Sequence, residues 1–186
     1  MGIGILALQG AFTEHEKMLA KLGADSYEIR QRADFTKEMS GLILPGGEST
    51  VMEKLMQELE LKEPILQVIQ SGIPVMGTCA GMILLAKTVI GGENHLACMD
   101  ISVERNAYGR QLGSFKTVSR FDGTGIIPMV FIRAPYVTNV GKEVEVLAKV
   151  GGKIVAAREQ NMLACAFHPE LTEDVTVHSH FLHMCR

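Results

Sequence analysis

In the stretch Ile73-Pro74-Val75-Met76-Gly77-Thr78-Cys79-Ala80-Gly81-Met82-Ile83-Leu84-Leu85-Ala86-Lys87, an apolar run meets two glycines four residues apart and then a second apolar run. Ile73 to Met76 has the composition of a buried strand and Met82 to Lys87 reads as helix, so Gly77 to Gly81 is the turn between them. Small residues around Cys79 permit a sharp turn, and strand-turn-helix is the context in which G-x-nucleophile-x-G has meaning. Such a turn lifts its central side chain above the carboxyl edge of a sheet, and the helix N-terminus behind it favours negative charge on sulfur. Cys79 is thus a candidate nucleophile, with a buried cysteine at a tight turn as the competing reading of this motif alone.

Upstream, Ile3 to Leu8 reads as a strand and Thr13 to Leu22 as a helix, with Thr13 and Glu16 at capping-box spacing and Gly23 just past its end. Strands follow at Ser26 to Arg30 and Gly41 to Leu44. A helix with Val51, Leu55, Met56 and Leu59 on one face comes next, and another opens at Pro64. Strands separated by helices imply a parallel sheet with right-handed crossovers. Downstream the spacers shorten: Ile101 to Glu104, Ser114 to Arg120 and Val130 to Arg133 read as strands. Val144 to Lys149 and Ile154 to Arg158 flank Gly151-Gly152 as a hairpin, Met162 to Phe167 is a last buried strand, and Val175 to Cys185 is a terminal helix. The expected fold is α/β: a three-layer sandwich with a mixed, mainly parallel central sheet flanked by helices, in one domain spanning 1–186.

His168-Pro169-Glu170 leaves the strand Met162 to Phe167. Residues two apart on an extended segment project to the same side, which suits an imidazole and its orienting carboxylate. A thiol nucleophile needs a histidine base and an acid on the far ring nitrogen, and His168 and Glu170 fit those roles; alone, this tripeptide is more often a polar strand end. Pro45-Gly46-Gly47-Glu48-Ser49-Thr50 follows another strand and opens a helix. Its glycine N–H groups, with the N–H of Ala80, supply donors for a developing oxyanion. A glycine turn with Ser49 or Thr50 as N-cap is compatible with that role. The spacing and lysine of a phosphate-binding P-loop are absent.

The 186 residues carry 47% hydrophobic and 21% charged side chains, a globular balance, and enough chain for a core without disulfide staples. Eighteen basic against 21 acidic residues, a net charge of -3 and no dense basic block argue against nucleic-acid binding. No stretch has the roughly 20 apolar residues that span a bilayer, and the N-terminus reads as a strand and not as a signal peptide. A cytoplasmic location with reduced thiols is expected for Cys79, Cys98, Cys165 and Cys185, the last three as small hydrophobes. His178, His180 and His183 do not complete a metal set and are expected on a solvated helix, while His15 and His95 stand outside any motif. No metal or cofactor is expected.

Leu42 to Thr50, Gly77 to Gly81 and Phe167 to Glu170, in this order, resemble the class I triad glutamine amidotransferases. Leu6 to Ala11, Val103 to Gln111, Phe131 to Pro135 and Phe167 to Thr172 are similar to the glutaminases of the pyridoxal 5'-phosphate synthase family, and the likeness covers essentially the whole chain. The resemblance implies a Cys79, His168 and Glu170 triad, oxyanion N–H groups from Gly47 and Ala80, and L-glutamine contacts from Gly47, Glu48, Ser49, Arg105, Ile132 and Arg133. An acidic Glu48 and a cationic Arg105 or Arg133 suit the ammonium and carboxylate of a free amino acid. It also implies a separate synthase subunit in a hetero-oligomeric complex, reached by ammonia through a tunnel, that raises a low glutaminase activity by setting the Gly46-Gly47 peptide. Arg110 is a candidate contact to that partner. Open alternatives are the glutaminase subunit of another amidotransferase, such as imidazole glycerol phosphate synthase, or a non-catalytic glutamine-sensing docking partner.

Overall fold

The computed structural model describes residues 2–36, 38–105 and 113–185. Parallel strands β1 (Gly2–Leu6), β2 (Ser26–Ile29), β3 (Met39–Leu44), β4 (Val75–Thr78) and β12 (Met162–Cys165) lie in the order β2-β1-β3-β4-β12. They alternate with α1 (Phe12–Lys21), α2 (Ser49–Glu58), α3 (Lys62–Gln70) and α4 (Ala80–Leu85). Beyond β12 the sheet turns antiparallel through β11 (Lys153–Glu159), β10 (Glu145–Val150) and the hairpin of β7 (Ser114–Phe121) and β8 (Gly125–Ile132). A branch of β5 (Ala86–Ile90), β6 (Met99–Glu104) and β9 (Tyr136–Val140) joins at β11. The last helix is α5 (Thr176–Met184).

The layers follow from strand parity. Leu42, Leu44, Val75 and Gly77 point to one face and Gly41, Ile43, Met76 and Thr78 to the other, because side chains alternate and β3 pairs with β4 at Ile43 and Met76. A Cβ on Gly77 would meet the Gly81 backbone at 2.6 Å, so the first face carries α4, against which α2 packs. A Cβ on Gly41 would meet Phe181 of α5 and Cys185 just past its end, and Thr78 meets His15 of α1, so both those helices lie on the second face. Only glycines at 77 and 81 let α4 approach this closely, which places its N-terminus directly above the end of β4. Fully buried Ile5, Leu42, Leu44, Val75, Leu163 and Phe167 belong to one continuous apolar cluster.

Several local expectations are corrected. The helix after Gly81 ends at Leu85, and Ala86 and Lys87 already belong to β5. α1 starts at Phe12 with Ala11 as N-cap and no side-chain cap, so Thr13 and Glu16 form no capping box. The buried face of α2 is Ser49, Met52, Glu53 and Met56, while Val51 and Leu59 are exposed. Ser49 in its first turn is buried and Glu53 turns inward to within 3.3 Å of His95, and these contacts, not the apolar count, set the helix rotation. The hairpin at Gly151-Gly152 forms with both glycines at positive φ. No helix among the described residues is long and apolar enough to cross a membrane.

Candidate active site

Adjacent parallel strands β4 and β12 end at the same sheet edge, and the segments leaving them meet there. Cys79 follows β4 with φ 48 and ψ -100, a conformation that costs a non-glycine residue on the order of 1–3 kcal/mol and is held by packing on both sides. Its N–H donates to the carbonyl of Cys165 at 2.7 Å, its thiol lies 3.8 Å from the carbonyl of Ile132, and α4 begins at the next residue. His168 comes off β12 and is pinned by its own N–H, which donates to the carbonyl of Val130 at 2.8 Å. Pro169–Leu171 is a 3-10 turn and not the extended segment expected, yet it brings Glu170 Oε1 to 2.7 Å from His168 Nδ1.

His168 and Glu170 are both buried. Burial opposes charge on His168, but its interactions with Cys79 and Glu170 outweigh that and raise its pKa to about 10. Burial likewise opposes ionisation of Glu170, and the nearby His15 and the hydrogen bond to His168 overcome it, holding the carboxyl below its usual range. An imidazole that gains proton affinity beside a thiol, with an anionic carboxylate behind it, is poised to hold and transfer protons at sulfur.

The Gly46-Gly47 turn follows β3, next to β4, and packs against the imidazole: a Cβ on Gly46 would lie 2.8 Å from His168 Nδ1. The N–H of Ala11 donates to the carbonyl of Gly46 at 3.0 Å, so the N–H of Gly47, trans across the same peptide, points away from the β1–α1 loop. Glu48, and not Ser49 or Thr50, caps α2; its N–H donates to Gln9 Oε1 at 2.7 Å, and its carboxylate accepts from Thr50 and from Arg105 at 3.2 Å. A cavity of about 330 Å³ opens here, lined by Cys79 and His168 and by six of the sequence-derived positions: Gly47, Glu48, Ser49, Arg105, Ile132 and Arg133. Arg133 has φ 44, and Ser49 is buried with a hydroxyl that finds no hydrogen-bond partner among the described residues. Ala80 is the first residue of α4, beside Cys79, with its backbone at the helix N-terminus.

Three histidines outside the triad are buried. His15 is fully buried, 3.2 Å from Thr78 Oγ1 and 3.5 Å from Glu170 Oε2, and His178 is equally buried with its Nε2 2.9 Å from His15 Nδ1. The terminal helix is therefore not solvated at His178, because Val177, His178 and Phe181 are its buried face. His95 is buried 3.3 Å from Glu53. No local signal marks these partners, since His15 and His178 lie 163 positions apart. Among the described residues no group of His, Cys, Asp and Glu could hold a metal ion. Arg110 lies outside the described residues.

A thiol on a strained strand-to-helix turn, an imidazole-carboxylate pair and a glycine loop gather around one cavity on an α/β sheet, the arrangement that cysteine-dependent amide hydrolases use. Residues 5–186 match the SNO glutamine amidotransferase family, and the chain belongs to that family. A relative from Methanocorpusculum labreanum, named pyridoxal 5'-phosphate synthase subunit PdxT, is 59% identical over 184 residues, 99% of this chain and 97% of its own. A protein of the same name from Haemophilus influenzae is 57% identical over 190 residues, covering 100% and 99%. A crystal structure described as a glutamine amidotransferase superposes with a TM-score of 0.94 at 41% identity, covering 100% of this chain and 99% of that one. The structure of PurLQS from Thermotoga maritima, at 14% identity and a TM-score of 0.74, shares the fold.

Proposed function

We propose that Cys79, His168 and Glu170 carry out the glutamine hydrolysis of this family, in one domain, with Gly47 and Ala80 supplying the oxyanion N–H groups. Cys79 Sγ attacks the side-chain amide carbon of L-glutamine, and the two N–H groups stabilise the oxyanion. His168 passes its proton to the amide nitrogen, the C–N bond breaks, and ammonia leaves a glutamyl thioester. Water, deprotonated by His168, then attacks the thioester and releases glutamate and the thiolate. Glu170 holds the imidazole tautomer and stabilises its cation. Gly47, Glu48, Ser49, Arg105, Ile132 and Arg133 bind the amino acid, whose ammonium and carboxylate compete with the Glu48–Arg105 ion pair across the cavity.

The partner is a pyridoxal 5'-phosphate synthase subunit in a hetero-oligomeric, cytoplasmic complex of vitamin B6 biosynthesis, which receives the ammonia by channelling and sets the Gly46-Gly47 peptide for the oxyanion. The names of the relatives support this partner. The observation that carries the reading is the convergence of Cys79 at positive φ with the 2.7 Å His168–Glu170 bond on the ends of neighbouring strands. The test is glutamate release from glutamine by the chain alone and with the synthase subunit, with Cys79→Ala as control. Release that rises with the partner and vanishes in the variant is expected; equal release with and without the partner overturns the gating, and release by the variant overturns the triad.

A further inference from the structure

Glu170 is enclosed on both oxygens. Oε1 bonds His168, whereas Oε2 accepts no hydrogen bond of normal geometry among the described residues and stands 3.5 Å from His15 Nε2. The same nitrogen lies 3.2 Å from Thr78 Oγ1, on the residue preceding the nucleophile. Across the ring, His15 Nδ1 is 2.9 Å from His178 Nε2. A fully buried imidazole from α1 thus closes the far side of the triad carboxylate, and a second, from α5, stands directly behind it.

Charge selects the tautomers. A bare Nε2 lone pair facing a carboxylate oxygen is repulsive, whereas an N–H there is attractive. His15 therefore carries its proton on Nε2, Nδ1 becomes an acceptor, and His178 Nε2 is the donor to it. Burial disfavours charge on both rings: it holds His15 below its ordinary value and, together with His15, brings His178 down to about 3. Both are neutral at pH 7, so the support given to Glu170 is a dipole and not a second cation.

We propose that His15, locked in one tautomer by His178, is a positioning residue that keeps Glu170 ionised and aimed at His168. The inference rests on the triad assigned above; His15 reaches the sulfur only through Glu170 and His168. The titratable groups facing this network are His168 and, beyond it, Cys79; Cys165 on β12; Glu14 on α1; and His178 on α5. Loss of the His15 N–H leaves the burial of Glu170 intact, so the carboxyl takes up a proton at higher pH and stops supporting the imidazole.

The test compares wild type, His15→Leu, His15→Gln and His178→Leu, each assembled with the synthase subunit, by glutamate release across pH. His15→Leu is expected to move the acid limb of the kcat pH profile up by about one unit, lowering kcat about tenfold at pH values below the wild-type limb, with kcat at pH 7, KM and the alkaline limb little changed. His15→Gln, whose amide N–H reaches the same place, restores most of the profile, and His178→Leu shifts the limb the same way by less. A purely structural role scales the profile through the active fraction without moving it. An unmoved acid limb in His15→Leu, or an equal shift in His15→Gln, overturns the proposal. Should thermal unfolding show His15→Leu unfolded, an unmoved limb in His178→Leu overturns it instead. Cys79→Ala separates the levels: release by that variant overturns the triad, whereas its loss beside an unmoved His15 limb overturns only the positioning role.

Discussion

Replacing Gly46 with alanine puts a methyl group against the His168 ring. The new carbon would lie 2.8 Å from Nδ1 and 3.4 Å from the Cys79 Cβ, where non-bonded carbons settle at about 3.5–4.0 Å. Gly46 does not have positive φ, so alanine fits its backbone and the collision is the whole perturbation. The ring must retreat by roughly 1 Å, which stretches the 2.7 Å bond to Glu170 beyond hydrogen-bond range. Misplacement of that size costs about 10²-fold in rate, near 3 kcal/mol of transition-state stabilisation. Overpacking costs about 1–3 kcal/mol of stability, and each kcal/mol lowers Tm by about 2–4 °C in a chain of this length. The assay is glutamate release in the assembled complex at saturating glutamine, beside a thermal melt. A folded Gly46→Ala protein with kcat within about threefold of wild type would refute the contact between this loop and the base, since that is under 1 kcal/mol.

Other outcomes follow from burial. Gly81→Ala drives a methyl group into the backbone of Leu44 and is expected to abolish soluble folding, checked by expression and circular dichroism. Phe181→Ala empties a fully buried site on α5 and should cost about 3–5 kcal/mol in denaturant unfolding. His178 has a folded pKa near 3 and an unfolded one near 6.5, so the unfolded chain binds its proton first on acidification. Its contribution to stability is present above about pH 6.5 and is lost as pH falls toward 3, by up to about 1.4 kcal/mol per pH unit; His178→Leu should flatten Tm against pH in that window. Iodoacetamide should alkylate Cys79, which lines the cavity, well before the fully buried Cys165, whose thiol burial holds protonated; mass mapping of a native digest checks the order.

Much of the sheet was legible because parallel strands buried on both faces leave continuous apolar runs, as in Gly41 to Leu44 and Met162 to Phe167. The end of α4 was less legible, since Leu85-Ala86-Lys87 suits helix or strand and the pairing of Ala86 with Met99 decides it. The rotation of α2 was hidden too: Glu53 turns inward toward His95, and exposed Val51 and Leu59 mimic a core face.

The chemistry at short range was written in the chain. A cysteine between small residues at a strand-to-helix turn, a histidine two residues before a glutamate, and a glycine pair after a strand are local patterns whose backbone geometry follows from residue size and φ/ψ freedom. Their meeting at one edge needed only the parallel order of β3, β4 and β12. The far side of Glu170 had no such signature. His15 and His178 each resemble an ordinary helical histidine until α1 and α5 pack on the same face of the sheet, and only then do burial and the carboxylate beside His15 assign each ring its tautomer. Propensity and spacing act over a few residues, whereas the proton on a buried imidazole is set by whatever charge the completed fold brings within a few ångströms.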